Sequence, residues 1–331
     1  MDKLKEEIVR KLASAFGEGE LVPATQTTEW PKSFKCEDGE DAFDTIQRIF
    51  GIRKSARRLF EAATSGDGNE KSRILTLHSS SLLAFLCFND VANHPITIND
   101  IVYDEVMFEV KNNVIKNSPG KSNIDVLLMG KNRKKLLFLE SKFTEYLSGG
   151  KVTLSPDKYE TFYTKLKEKL FDCPFSAGYK TVNSKTGKSQ KEQYALYNGE
   201  KTSEYLEGIK QAFSHLLGIA TGPAKKQTKG NEDYTRSLLE NADEIKFASI
   251  VFNCDNGKFK NYNNLYKSVF ENSNVIIETI KEILKKREIK LEIISELLQY
   301  QDVFQDNNLS DEVRNFYNKV NGSDISFSND K

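Results

Sequence analysis

Apolar and polar positions are most regularly ordered between Val106 and Glu145, where three β-rich runs are separated by two turn signals. The signals are Ser118-Pro119-Gly120 and Gly130-Lys131-Asn132-Arg133, so the segment predicts a three-stranded meander. Upstream, LTLHSSSLLAFLCFNDVA predicts a buried helix with Ser79 or Ser80 as its N-cap, and 98–114 supplies the first strand after Asn99-Asp100. Downstream, 245–252 (IKFASIVF) predicts a buried fourth strand. Near the start, Leu4, Ile8, Leu12 and Phe16 recur at four-residue steps and predict an amphipathic helix stopped by Gly17 and Gly19. Residues 41–60 read as helical, and its Arg53, Lys54, Arg57 and Arg58 read as a solvated face. Near the end, VIIETIKEILKKR, IKLEIISELLQYQDVF and DEVRNFYNKV predict a helical layer. The chain therefore divides into an N-terminal helical arm (1–75), a core (76–255) and a C-terminal helical region (256–331). An insertion at 146–204 follows the third strand. In it, Ser155-Pro156 opens a helix, and YKTVNSKTGKSQKEQ reads as a polar, lysine-rich loop.

Charges placed inside the strands change this picture. Asp125 lies within IDVLLM, and Glu140 and Lys142 end LLFLESK. A carboxylate in an apolar strand is costly unless something pairs with it, and a metal ion can do so. A turn centred between Asn132 and Arg133 brings Asp125 opposite Glu140, with Cβ atoms roughly 4.5–5.5 Å apart. Alternation points Glu140 and Lys142 the same way. Ile124, Val126, Leu128, Leu137 and Leu139 line the other face, and Leu127 and Phe138 share the acid face. Both faces are thus apolar enough to be covered, as in a sheet held between helical layers. The position of Glu109 in the first strand depends on the first turn. An odd-length loop or a bulge puts it on the Asp125 face, and a four-residue turn puts it on the other.

Composition narrows the classes. The 331 residues hold 48 Lys+Arg and 48 Asp+Glu, so no global basic field favours nonspecific coating of nucleic acid, although a local basic cleft is compatible. The amphipathic, charged start lacks a signal-peptide core, and LLAFLCF is far too short to span a bilayer. Four scattered cysteines form neither a zinc pattern nor a disulfide framework, which points to a cytoplasmic, reduced setting. Three histidines with no triad context argue against a serine nucleophile near His78. TGKS at 186–189 is no P-loop, because Val182 stands where that motif needs glycine. Trp30 reads as an anchor that pins the N-terminal arm to the core.

An aspartate in one strand followed by Glu-Xaa-Lys at the end of the next resembles the PD-(D/E)xK nuclease superfamily. The matching residues are Asp125, Glu140 and Lys142, in SNIDVLL and LESKF. The surrounding text (LHSSSLLAFLCFND, LESKFTE, GIKQAFSHLLG) is similar to a bacterial restriction-endonuclease-like group of that superfamily, over about residues 70–255. The resemblance implies an α/β restriction-endonuclease-like core, a mixed central sheet flanked by helices. It also implies a Mg²⁺-dependent endodeoxyribonuclease acting on DNA, in restriction or defence. The alternatives are an inactive DNA-binding or assembly protein on the same fold, or a structure-specific repair nuclease. Asp125 and Glu140 would hold Mg²⁺ with the Ser141 carbonyl, and Lys142 would act on the attacking water. Many members carry a further acid on the preceding helix; here that helix has none, and Glu109 is the candidate substitute. Gln211 and His215, four apart on one helix face, resemble a Gln-xxx-Tyr pair of RecB-like relatives, with His in place of Tyr. Gln211 is a candidate for positioning Lys142 or the substrate. Lys131, Arg133, Lys188 and His215 are candidate DNA contacts. A double-strand cut needs two active sites, which is the argument for a homodimer.

Overall fold

A computed structural model describes residues 3–17, 19–25, 29–66, 70–113, 121–147, 175–183, 187, 189–197, 200–201, 211–212, 214–216, 218–219, 222, 231–270, 277–278, 291–306 and 309–322. Lys3–Ala13 (α1) forms the amphipathic helix, burying Ile8, Val9 and Leu12. A short ribbon follows, Leu21–Pro23 (β1) against Lys32–Phe34 (β2). Trp30 packs against the core with the Arg10 guanidinium 4.3 Å from its ring centre, consistent with an anchor. Ala42–Phe50 (α2) starts on a capping box in which the Asp41 carboxylate accepts from Asp44 N. It stops at Gly51, whose φ of 66° is readily adopted only without a Cβ. In Arg57–Ala63 (α3), Arg57 pairs with Asp41 and Asp44, and Arg53 lies 3.5 Å from Asp90. That face is therefore partly ion-paired as well as solvated. Glu70–Arg73 (α4) is one turn long.

Ser80–Phe88 (α5) is the expected core helix, with every residue from Leu82 to Phe88 buried and Ser79 Oγ accepting from Leu82 N. The first strand expected within 98–114, after Asn99-Asp100, is preceded by a small hairpin. Ile96–Ile98 (β3) turns through Asn99 and Asp100, φ 47° and 61°, into Ile101–Tyr103 (β4). Two successive left-handed residues give the tight turn that matches strand twist, which explains the break. Glu105–Asn113 (β5), Lys121–Gly130 (β6) and Lys135–Lys142 (β7) then form the meander.

The polar 179–193 stretch is not a loop. Phe175–Asn183 (β8) and Ser189–Tyr197 (β9) pair antiparallel, with Glu200–Lys201 (β10) beside β9, in a separate three-stranded sheet. Tyr, Thr and Val among the lysines supply the β-propensity that the charge count obscured. After helical residues at 211–219, Asn231–Asn241 (α6) leads into Glu244–Val251 (β11), the expected fourth strand. Asn256–Phe270 (α7) follows. The C-terminal region is not wholly helical. Within IKLEIISELLQYQDVF, Leu291–Ile293 (β12) and Leu298–Gln299 (β13) both pair parallel with β11 before Tyr300–Asp306 (α8) begins. Asp311–Asn318 (α9) closes the described chain on a Ser310 cap. The expected helices at 155–170 and 275–287 lie mostly or wholly outside the described residues, as do Lys188 and the tail beyond 322.

The central sheet runs β12-β11-β7-β6-β5, with β13 also on β11. The β5, β6 and β7 neighbours are antiparallel, and β7, β11 and β12 are parallel, so the sheet is mixed. Leu127, Leu128, Leu137, Phe138, Leu139, Phe247 and Ala248 are wholly buried, as a sheet covered on both faces requires. Helix α5 packs on β6 and β7. The N- and C-terminal regions meet over it: Phe316 of α9 lies 5.5–5.9 Å, ring to ring, from Phe16, Phe34 and Phe50. Among the described residues, no helix is long and apolar enough to cross a membrane.

Candidate active site at a strand fork

The β6–β7 hairpin has the register that a turn between Asn132 and Arg133 demands: Gly130 faces Lys135 and Val126 faces Leu139. Lys131, Asn132 and Arg133 all take positive φ, 50–63°, to make that turn. One step further, Asp125 would face Glu140, but the ladder stops first. Beyond Val126, β6 pairs only with β5; beyond Leu139, β7 pairs only with β11. The strands fork, and Asp125 and Glu140 stand at the crotch. Ser141 N, whose ladder partner would be Ile124, donates instead to Asp125 Oδ2 at 2.7 Å. The carboxylate thus takes the place of a backbone acceptor and satisfies a buried amide at the opening.

Glu140 and Lys142 share a face, as alternation requires, and the Lys142 ammonium pairs directly with Glu140 Oε1. Ser141 points to the opposite face, where its hydroxyl lies 2.7 Å from Tyr300 OH and 3.3 Å from the Ser80 carbonyl. His215 Nε2 lies 2.7 Å from Glu140 Oε2, and its Nδ1 contacts Ser122 Oγ. The Nε2 contact has ion-pair distance but lacks the direction of a hydrogen bond, so Glu140 Oε2 is buried without a directed partner. Glu140, Lys142, His215 and Ser122 are 2–6% exposed, so water screens these contacts little.

The two carboxyls experience opposite fields. Burial pushes Asp125 well above the ordinary aspartate range, and the neighbouring Glu140 adds to this. Burial also works against the Glu140 anion, but Lys142 and His215 outweigh it and hold that carboxyl below its usual value.

Ser122 reaches His215 because strand alternation breaks beside the fork. Phe108 packs on Phe85 of α5, at 6.1 Å between ring centres, yet Lys111, three residues on, donates to the Ser65 carbonyl after α3 on the same side. Glu109 lies between them with φ 52°. The pairs Phe108↔Val126 and Val110↔Ile124 bracket it, so Glu109 falls level with Asp125 without an inserted residue. The β5–β6 connection therefore has odd length, the alternative that favours Glu109 on the site side. Past this flip, Asn112 and Ser122 meet the 211–219 helix, where a Cβ on Gly218 would lie 2.9–3.1 Å from their side-chain atoms. A left-handed glutamate inside a strand is strained, and such residues cluster at functional sites.

Asp125, Glu140, Lys142 and His215 come together, and Glu109 lies level with them. Gln211 is half-buried one helical turn before His215. His215, proposed as a DNA contact, is buried between Glu140 and Ser122. Lys131 and Arg133 stand at the far end of the hairpin; Lys135 to Glu140 alone spans about 16 Å of strand. Arg133 there is held by Glu105 through bonds of 2.7–2.9 Å. Sequence reasoning missed Ser122, because alternation from Val126 assigns it to the α5 face. It also missed Tyr300, which no local pattern ties to Ser141.

Hard oxygen donors at the crotch fit a divalent cation. A cation would favour the ionised form of the half-buried Asp125 and would draw on the carboxylate oxygens of Glu140. Among the described residues, no three His, Cys, Asp or Glu side chains converge as a metal-binding group, so backbone oxygen and water would complete the shell. No family model, no curated protein and no solved structure matches the chain.

Proposed function

We propose that this chain is a Mg²⁺-dependent endodeoxyribonuclease of the PD-(D/E)xK type. One observation carries the reading: Asp125, Glu140 and Lys142 meet at the β6–β7 fork on a mixed sheet covered by helices. Asp125 and Glu140, with the Ser141 carbonyl, would hold the ion. When bound, Mg²⁺ would polarise the scissile phosphate and lower the pKa of an attacking water. Lys142, 6% exposed beside Glu140, would orient that water and offset charge on the phosphorane. Asp125 accepts from Ser141 N, which fixes the carboxylate on backbone and leaves little side-chain freedom to lose on binding.

A second reading, a DNA-binding protein without catalysis on the same scaffold, is favoured by a different observation: the Lys142 ammonium already compensates the Glu140 charge. A panel of duplex, branched and single-stranded DNA and RNA, incubated with Mg²⁺ or EDTA, separates the two. Metal-dependent scission of duplex DNA supports the first. DNA retention without scission supports the second, and scission of branched DNA or RNA alone redirects the substrate class.

A further inference from the structure

Three side chains from three different elements cross the fork in series. Ser122 stands on the β6 arm, Glu140 on the β7 arm and His215 on the helix between them. A nitrogen lone pair 2.7 Å from a carboxylate oxygen would be repelled, so His215 Nε2 carries the hydrogen. The Ser122 hydroxyl is free to rotate and can meet the other ring nitrogen in the role this requires. The helix cannot drift away easily, because Gly218 lets its backbone sit directly on Asn112 and Ser122.

We propose that His215, fixed by Ser122, is the positioning residue for Glu140: it ties the two arms of the fork together and sets the carboxylate for a divalent cation. This inference rests on the metal-site part of the reading above. His215 Nε2 lies 2.7 Å from Glu140 Oε2 and so steadies that oxygen directly. Hydrogen-bond partners of ligating groups orient them and commonly change metal affinity 10–100-fold when removed. Ser122 would act only through His215, so the two substitutions should not add.

The test is Mn²⁺ affinity by calorimetry on the full chain, with folding checked by thermal melts. His215→Ala should weaken binding by about 10–100-fold. Ser122→Ala, the milder change, should weaken it less. The double variant should match His215→Ala alone, and His215→Gln, which keeps an N–H near Oε2, should recover most of the affinity. Nitrogen NMR of the metal-free wild type should show a hydrogen on His215 Nε2, and Ser122→Ala should broaden or shift that signal. Wild-type affinity in His215→Ala, additive effects of Ser122 and His215, or no Mn²⁺ binding by wild type would each overturn the proposal. Failure of this inference and failure of the nuclease reading are distinguishable. Mn²⁺ binding that depends on Ser122 and His215 without DNA scission removes the nuclease and leaves the positioning role. Scission with unchanged Mn²⁺ affinity in His215→Ala does the reverse.

Discussion

Gly218→Ala tests whether the helix carrying His215 sits where the fork needs it. Alanine favours a helix over glycine by about 1 kcal/mol, so propensity alone predicts a stabilised protein. The structure predicts the opposite. The added Cβ would lie 2.9 Å from Ser122 Cβ, 3.0 Å from Asn112 Cβ and 3.1 Å from Ser122 Oγ. Ser122 and Asn112 are buried on paired strands, so neither can give way without moving the sheet or the helix. Overpacking of this kind costs about 1–3 kcal/mol, which exceeds or cancels the propensity gain. We expect a net loss of up to about 2 kcal/mol in urea unfolding, and a melting point lower by a few degrees. The relief route is for the helix to lift from Ser122, which draws His215 away from Glu140, so Mn²⁺ affinity should fall as well. A Gly218→Ala protein more stable than wild type, with unchanged affinity, would refute the close approach and the seating of His215 derived from it.

Other perturbations read other parts of the structure. Gly130→Ala would put a Cβ 2.1 Å from the Val102 carbonyl oxygen, backbone against backbone, and should cost about 3 kcal/mol or more or abolish soluble expression. Tyr300→Phe removes the hydroxyl 2.7 Å from Ser141 Oγ and should lower unfolding stability by about 1 kcal/mol, without the larger loss expected of a cavity. Burial, with Lys5 nearby, lowers the His78 pKa to about 4 from an ordinary 6.5, so the fold holds this ring neutral while the unfolded chain protonates it. Its contribution is therefore intact above pH 6.5 and is lost as pH falls toward 4, by up to about 3 kcal/mol. His78→Asn should flatten the stability profile over that interval, as read by urea titrations at successive pH values.

The sequence made the second hairpin legible because side chains alternate with period two. The Asn132–Arg133 turn left one register, in which Gly130 faces Lys135 and Val126 faces Leu139. The same rule hid Ser122. It assumes unbroken alternation, and the flip at Glu109 is a left-handed backbone angle with no composition signal. The β8–β9 hairpin was obscured by its lysines, whose number hid the β-propensity of the Tyr, Thr and Val among them. Strands β12 and β13 are three and two residues long inside IKLEIISELLQ, whose Leu291, Ile294 and Leu298 spacing imitates a helix. Pairing with β11 decides their conformation, and that partner lies some forty residues away in sequence. Lys131 and Arg133 drew attention as basic residues in a turn beside the motif, but a straight strand carries a turn as far from the site as it is long.

The most direct test of the account is the initial rate of duplex DNA scission in Mg²⁺ by wild type and by Lys142→Ala, Asp125→Asn and Glu140→Gln. Wild type should cut with a Mg²⁺ requirement abolished by EDTA, and each variant should be slower by at least about a hundredfold while melting as a folded protein. Equal rates in wild type and Lys142→Ala, or a wild type that cuts none of the DNAs in Mg²⁺, would contradict it.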